Sequence, residues 1–155
     1  MYKCVIVVAL VATATFCILG ISGQEPAVGI STQCLGCLCE AATNCNRTLT
    51  CRGNICGLFS ITWNYWADAG KPTQPGETVD SPSAFTNCVN EPFCAARAVQ
   101  GYMAKFGKDC NKDGKIDCID YATIHKIGGY GCEGANLPEE FKQKLELCLQ
   151  QVGNF

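Results

Sequence analysis

The first stretch of the chain has almost no polar positions. Cys4 to Gly20 is nearly all apolar and uncharged, behind a basic start at Lys3, and small residues follow at Ser22 and Gly23. That three-part layout is the pattern of a secretory signal peptide, with cleavage expected near Ser22 to Gln24 and residues 1–23 removed. The run sits at the lower edge of what spans a bilayer, so a membrane anchor is the weaker reading. Residues 24–32, with Pro26 and Gly29, predict a short lead-in, and residues 33–155 predict the folded domain.

Beyond the lead-in the apolar positions become periodic. Ser31 and Thr32 are residues that cap helices. After them Cys34, Leu35, Leu38, Cys39, Ala41 and Ala42 recur at helical spacing. Asn44 to Asn54 is polar and predicts turns. Gly57 to Trp63 alternates apolar with small or polar residues, which predicts a strand running into a short helix near Tyr65 and Trp66. Lys71 to Pro82 holds three of the six prolines and predicts a surface loop. Pro92 to Phe106 predicts a helix with Phe93, Ala96, Val99, Gln100 and Met103 near one face, widened by Tyr102 and Phe106. Tyr121 to Ile127 predicts another, ended by Gly128 and Gly129. The last helix opens at Pro138, with Glu139 and Glu140 in its first turn and a buried stripe of Phe141, Leu145, Cys148, Leu149 and Val152. The sum is an α+β, mainly helical small domain with a minor β element and no internal repeat.

Composition narrows the class. A chain of 155 residues has room for one ordinary domain. The net charge is −2 and Lys and Arg do not cluster, which argues against a nucleic-acid partner. No second apolar run suggests a membrane segment after the signal, and a monomer is expected.

Cysteine usage is the strongest compositional feature. Of 14 cysteines, Cys4 and Cys17 fall in the leader. The remainder are Cys34, Cys37, Cys39, Cys45, Cys51, Cys56, Cys88, Cys94, Cys110, Cys118, Cys132 and Cys148. An even count in an oxidising compartment predicts a disulfide-rich framework. Short separations and turn-like intervening sequence predict local bridges Cys39–Cys45, Cys51–Cys56 and Cys88–Cys94. A zinc knuckle at Cys34 and Cys37 is the rival reading. The leader argues against it, as does a single histidine, His125.

Four segments carry a family resemblance. Cys34-Leu35-Gly36-Cys37-Leu38-Cys39 resembles a C-L-x-C-I-C opening, and Cys56-Gly57-Leu58-Phe59-Ser60-Ile61 is similar to C-G-x-[YF]-Q-I. Tyr65-Trp66-Ala67-Asp68-Ala69-Gly70-Lys71-Pro72 resembles Y-W-x-D-C-G-[KR]-P. Tyr121 to His125, through Gly131-Cys132, resembles [YF]-A-R-x-H-N-G-G-P-x-G-C, with Thr123, Lys126, Ile127 and Gly129 departing from it. In this order, with matching cysteines between them, they resemble the invertebrate-type (destabilase-type) lysozymes over Gln33 to Cys148. The resemblance implies a lysozyme-like fold and hydrolysis of β-1,4 bonds in bacterial peptidoglycan, for defence or digestion, with no cofactor required. The implied partner is a bacterial cell-wall glycan or a chitin-like oligosaccharide.

The departures from the family pattern concern chemistry. Cysteines often found at the positions of Ala69 and Ala98 are both absent, which suggests one lost bridge. Glycoside hydrolysis needs a proton-donating carboxyl and a second carboxylate. The resemblance places the acid on the first helix, three residues after the third cysteine, where this chain has Ala42. It places the aspartate between the fifth and sixth cysteines, where this chain has only Arg52-Gly53-Asn54-Ile55. Glu40 is a substitute candidate, but it lies about 200° around the helix from Ala42. Asp68 is another, with a plain reading as a turn residue. Some family members are assigned an isopeptidase activity through a histidine matching His125 and a serine just before the sixth cysteine. That serine is absent, and a histidine without a nucleophile does not run acyl transfer. Trp63, Tyr65 and Trp66 are candidates for stacking on sugar rings, alongside a core role for one or two of them.

Two further motifs stand apart. Asp109, Asn111, Asp113, Asp117 and Asp120 fall at positions 1, 3, 5, 9 and 12 of a calcium-loop spacing, with Gly114 at position 6. Either Ca²⁺ or a disulfide-stapled turn rich in Asx residues accounts for it. Asn46-Arg47-Thr48 is an N-glycosylation sequon. Three functions compete: a cell-wall hydrolase, a non-catalytic glycan-binding or regulatory protein on the same fold, and a disulfide-rich structural or inhibitory protein.

Overall fold

The structure is a computed structural model and describes residues 29–153, so the expected leader lies outside the described residues. Six helices and a two-stranded antiparallel hairpin follow one another as α1 (Thr32–Thr43), β1 (Ile55–Cys56), β2 (Ile61–Thr62), α2 (Trp63–Asp68), α3 (Ala84–Val89), α4 (Pro92–Phe106), α5 (Cys118–Ile127) and α6 (Glu139–Val152). The mainly helical α+β expectation is met, and one contiguous buried cluster serves all the elements.

The first helix forms where its cap signal lies. Ser31 Oγ accepts the Cys34 amide at 3.1 Å, and Asn44 ends the helix in the left-handed region. Its apolar face packs on α6, whose Phe141, Leu145 and Leu149 are buried. Cys37 joins Cys148 across this contact, a sequence separation of 111. Val152, expected in the same stripe, is 44% exposed because α6 outruns the core there.

The remaining cysteines pair within the domain. The three predicted local bridges are present: Cys39–Cys45, Cys51–Cys56 and Cys88–Cys94. Cys34–Cys118 and Cys110–Cys132 tie the acidic loop at both ends to other parts of the fold.

Three expectations need correction. The strand predicted over Gly57 to Trp63 is a turn followed by the two residues of β2. Gly57 (φ 70°) and Ser60 (φ 55°) are both left-handed, and the Ser60 amide donates to the Gly57 carbonyl at 3.0 Å, so the chain reverses. A Cβ on Gly57 would come within 1.9 Å of the Val89 carbonyl oxygen, so this close approach requires glycine. Second, the spacing predicts no helix between the proline-rich loop and Pro92, yet α3 forms there; it is short and buries Ala84, Cys88 and Val89. Third, α4 has its predicted bounds but a rotated face. Cys94, Ala95, Ala98, Val99, Tyr102 and Met103 are buried, whereas Phe93 is 76% exposed. The Cys88–Cys94 bridge directs Cys94 inward, and Phe93, one position earlier, turns outward.

Candidate functional site

The C-terminal end of α1, the chain from Leu49 to Arg52 and the hairpin enclose a cleft of about 300 Å³. Ala42, Thr43, Leu49, Thr50, Arg52, Ile55, Gly57 and Ser60 line it. Thr43 Oγ1 donates to the Leu58 carbonyl at 2.6 Å, which fastens the end of α1 to the hairpin turn. Ala42, at the expected acid position, therefore does sit on a cleft. No Asp or Glu lines that cleft, and its one charged side chain is Arg52.

The substitute carboxylates lie elsewhere. Glu40 is exposed and is not part of the lining. Asp68 ends α2 and accepts from Lys105 Nζ at 2.7 Å, with both side chains partly exposed. An exposed pair of this kind contributes little stability.

His125 has both ring nitrogens engaged. A carbonyl only accepts, so Nε2–H donates to the Phe59 carbonyl at 2.9 Å. Nδ1 is left unprotonated and accepts from the Tyr65 hydroxyl at 3.0 Å. Burial pushes His125 down to about 4, partly opposed by the Phe59 carbonyl, and Lys126 adds to the lowering. Burial, with the nearby Tyr102, raises Tyr65 well above the ordinary phenol value. The imidazole is thus neutral at pH 7 and clasps α5 to the hairpin turn and α2.

The aromatic candidates divide. Trp66 is 2% exposed and its indole N–H donates to the Pro72 carbonyl at 2.8 Å. Tyr65 stacks on Tyr102 with ring centroids 3.7 Å apart. Trp66 takes the core role expected for one or two of the three aromatics, and Tyr65 is partly buried with its ring stacked on Tyr102. Trp63 is 52% exposed, with Lys71 Nζ 5.7 Å from its ring centroid.

The acidic loop is held by its own amides. Asp109 accepts from the amides of Lys112 and Gly114, Asn111 from Asp113, and Asp113 from Lys115. Asp120 is fully buried; its Oδ1 accepts from Cys110 and its Oδ2 from Asp117, while Asp117 caps α5 through Ile119. The last two acidic positions of the calcium spacing thus form a helix capping box. Among the described residues no group of three or more His, Cys, Asp or Glu side chains converges as metal ligands would. Asn46 of the sequon is exposed, and its Oδ1 accepts from both the amide and the hydroxyl of Thr48.

Sequence reasoning missed Thr43, Thr50, Arg52 and Ser60 as cleft residues. The available signal was Arg52 itself, a cation in the segment where the resembled pattern carries an aspartate.

Comparison with known proteins agrees with the geometry. The Destabilase family model matches residues 31–148. A lysozyme of Magallana gigas is 34% identical over 109 residues, covering 66% of this chain and 69% of the relative. Lysozyme 1 of Crassostrea virginica is 32% identical over 121 residues, 74% of this chain, and the match spans 58% of that relative's length. Among solved structures, a Meretrix lusoria lysozyme in complex with Aeromonas hydrophila PliI superposes with a TM-score of 0.60 at 26% identity, covering 76% of this chain and 89% of that one.

Proposed function

Since this chain belongs to the destabilase family of invertebrate-type lysozymes, we propose that it acts outside the cell as a glycan-binding protein that has lost muramidase activity. The observation that carries the reading is the cleft at Ala42, which holds no carboxylate. Cleavage of a glycosidic bond requires one group to protonate the leaving oxygen and another to meet the oxocarbenium-like centre. Neither Glu40 nor Asp68 lines the cleft to supply these roles. The acyl-transfer alternative finds no support either, because the Cys51–Cys56 segment has no serine and both nitrogens of His125 are occupied. Binding needs neither acid nor nucleophile. The cleft retains hydroxyls at Thr50 and Ser60, and Trp63 remains exposed. The six disulfides among the described residues and the expected leader support an extracellular setting.

Prolonged incubation with a β-1,4-linked N-acetylglucosamine hexasaccharide, followed by mass spectrometry, tests the loss of cleavage. The hexasaccharide is expected to remain intact while still shifting protein resonances in an NMR titration. Shortened products would overturn the reading.

A further inference from the structure

The cleft also carries the opposite charge from the one glycosidase chemistry requires. A developing cation calls for carboxylates around it. Here the two positions that the family pattern assigns to them give Ala42 and a segment whose only charged side chain is Arg52. Arg52 takes part in none of the ion pairs found among the described residues. The Arg52–Ile55 backbone bridge and the Cys51–Cys56 disulfide fix the short segment that carries it. The lining supplies hydroxyls from Thr50 and Ser60 and no competing Asp or Glu. Ser60 is held at φ 55°, a region that serine rarely occupies, by the hairpin turn.

The geometry points to a cleft that recognises an anion, with Arg52, Thr50 and Ser60 taking the carboxylate of an acidic β-linked glycan. This rests on the glycan-binding reading above and adds the charge class of the ligand. A guanidinium presents a planar fork that matches a carboxylate through two parallel hydrogen bonds. Neighbouring hydroxyls serve the remaining lone pairs. A volume of about 300 Å³ is at the small end of ligand pockets and suits one substituted sugar ring rather than a long stretch of chain. A sugar carboxylate has two sources, the lactyl ether of bacterial wall glycan freed of its amide-linked peptides and the uronic acids of animal matrix glycans.

Calorimetric titration with three oligosaccharides of equal length tests this. One is neutral oligo-N-acetylglucosamine. The second alternates N-acetylglucosamine with N-acetylmuramic acid, and the third is a hyaluronan fragment. At least one acidic oligosaccharide is expected to bind about tenfold or more tighter than the neutral one. The preference should shrink as salt rises and vanish in Arg52→Gln. Arg52→Lys, which keeps the charge without the fork, should retain part of it and guards against a folding defect in the first variant. Tighter binding of the muramic oligosaccharide assigns the wall source, and tighter binding of hyaluronan assigns the matrix source. Equal binding of neutral and acidic chains, or a preference that survives Arg52→Gln, overturns the inference while leaving glycan binding intact. Failure of all three to bind overturns both.

Discussion

The Tyr65 hydroxyl donates to His125 Nδ1 at 3.0 Å, and that one bond settles what the only histidine of the chain does. With Nε2–H on the Phe59 carbonyl, the ring has no free lone pair with which to take a proton from a substrate or nucleophile. The clasp should appear in the pH dependence of stability. His125 titrates near its ordinary 6.5 in the unfolded chain and at about 4 when folded. Between those values the unfolded state binds more protons, so acid favours unfolding. The contribution is fully present above about pH 6.5 and is lost as pH falls to about 4. It amounts to at most about 3 kcal/mol, reduced by whatever solvent reaches the partly buried ring. Chemical denaturation across that window is expected to show the slope, and His125→Gln is expected to remove most of it. An unchanged slope in the variant would assign it to other groups.

Asp120 is expected to matter more for stability than any other acidic residue of its loop. It is fully buried, and its two oxygens accept amides from Cys110 and Asp117. Asp120→Ala should cost about 2–4 kcal/mol, since it strands buried donors and removes half of a capping box. Asp113→Ala, at an exposed position, should cost well under 1 kcal/mol.

Calcium can be tested on the same loop. A ligand that binds only the folded state raises the melting temperature. The loop spacing predicts weak binding, and a carboxylate oxygen that accepts one amide keeps a lone pair for a cation, so millimolar calcium is expected to raise the melt. A flat melt with Asp113→Ala behaving as the parent would leave the loop a turn. A clear rise that Asp113→Ala abolishes would establish a calcium site.

Restoring the acid alone is not expected to restore cleavage. Ala42→Glu would place a carboxyl in a cleft shared with Arg52. A nearby cation lowers a carboxyl pKa, the wrong direction for a group that must hold a proton near neutrality. The second carboxylate would still be missing. Reducing-end release by Ala42→Glu should therefore stay at the parent level, and a gain of about a hundredfold, the lower range of general acid catalysis, would contradict this.

The Cys37–Cys148 bridge closes the longest loop among the described disulfides, a separation of 111 residues, across the α1–α6 contact. Replacing both cysteines by alanine should destabilise the domain by about 4–5 kcal/mol on chain-entropy grounds. The same replacement at Cys39 and Cys45, six residues apart, should cost less. Paired denaturation curves check the order.

The legible parts of the sequence were those with local causes. Ser31 as a cap, Pro92 and Pro138 at helix starts and Gly128 at a helix end each act within a turn, so α1, α4, α5 and α6 could be placed from spacing alone. The start of α5 was missed because Asp117 and Asp120 fit a calcium spacing as well as a capping box. Contacts distant in sequence were not legible. The packing of Gly57 on Val89 turns an apparent strand into a hairpin turn, and the burial of Trp66 and Tyr65 depends on Pro72, Tyr102 and His125. Long-range disulfide connectivity is not encoded in spacing either. At the site, the missing carboxylates were visible residue by residue, whereas the common cleft of Ala42, Arg52 and Ser60 required the fold.

The central claim is that the cleft holds glycan without cutting it. One incubation of the purified protein with insoluble bacterial peptidoglycan measures both halves, the protein that sediments with the walls and the reducing ends released into the supernatant. The expected result is saturable retention of protein with release no greater than from walls alone. Release and clearing of the suspension at a rate typical of active lysozymes would contradict the account, and Glu40→Gln and Asp68→Asn would then show which carboxylate had taken over the chemistry.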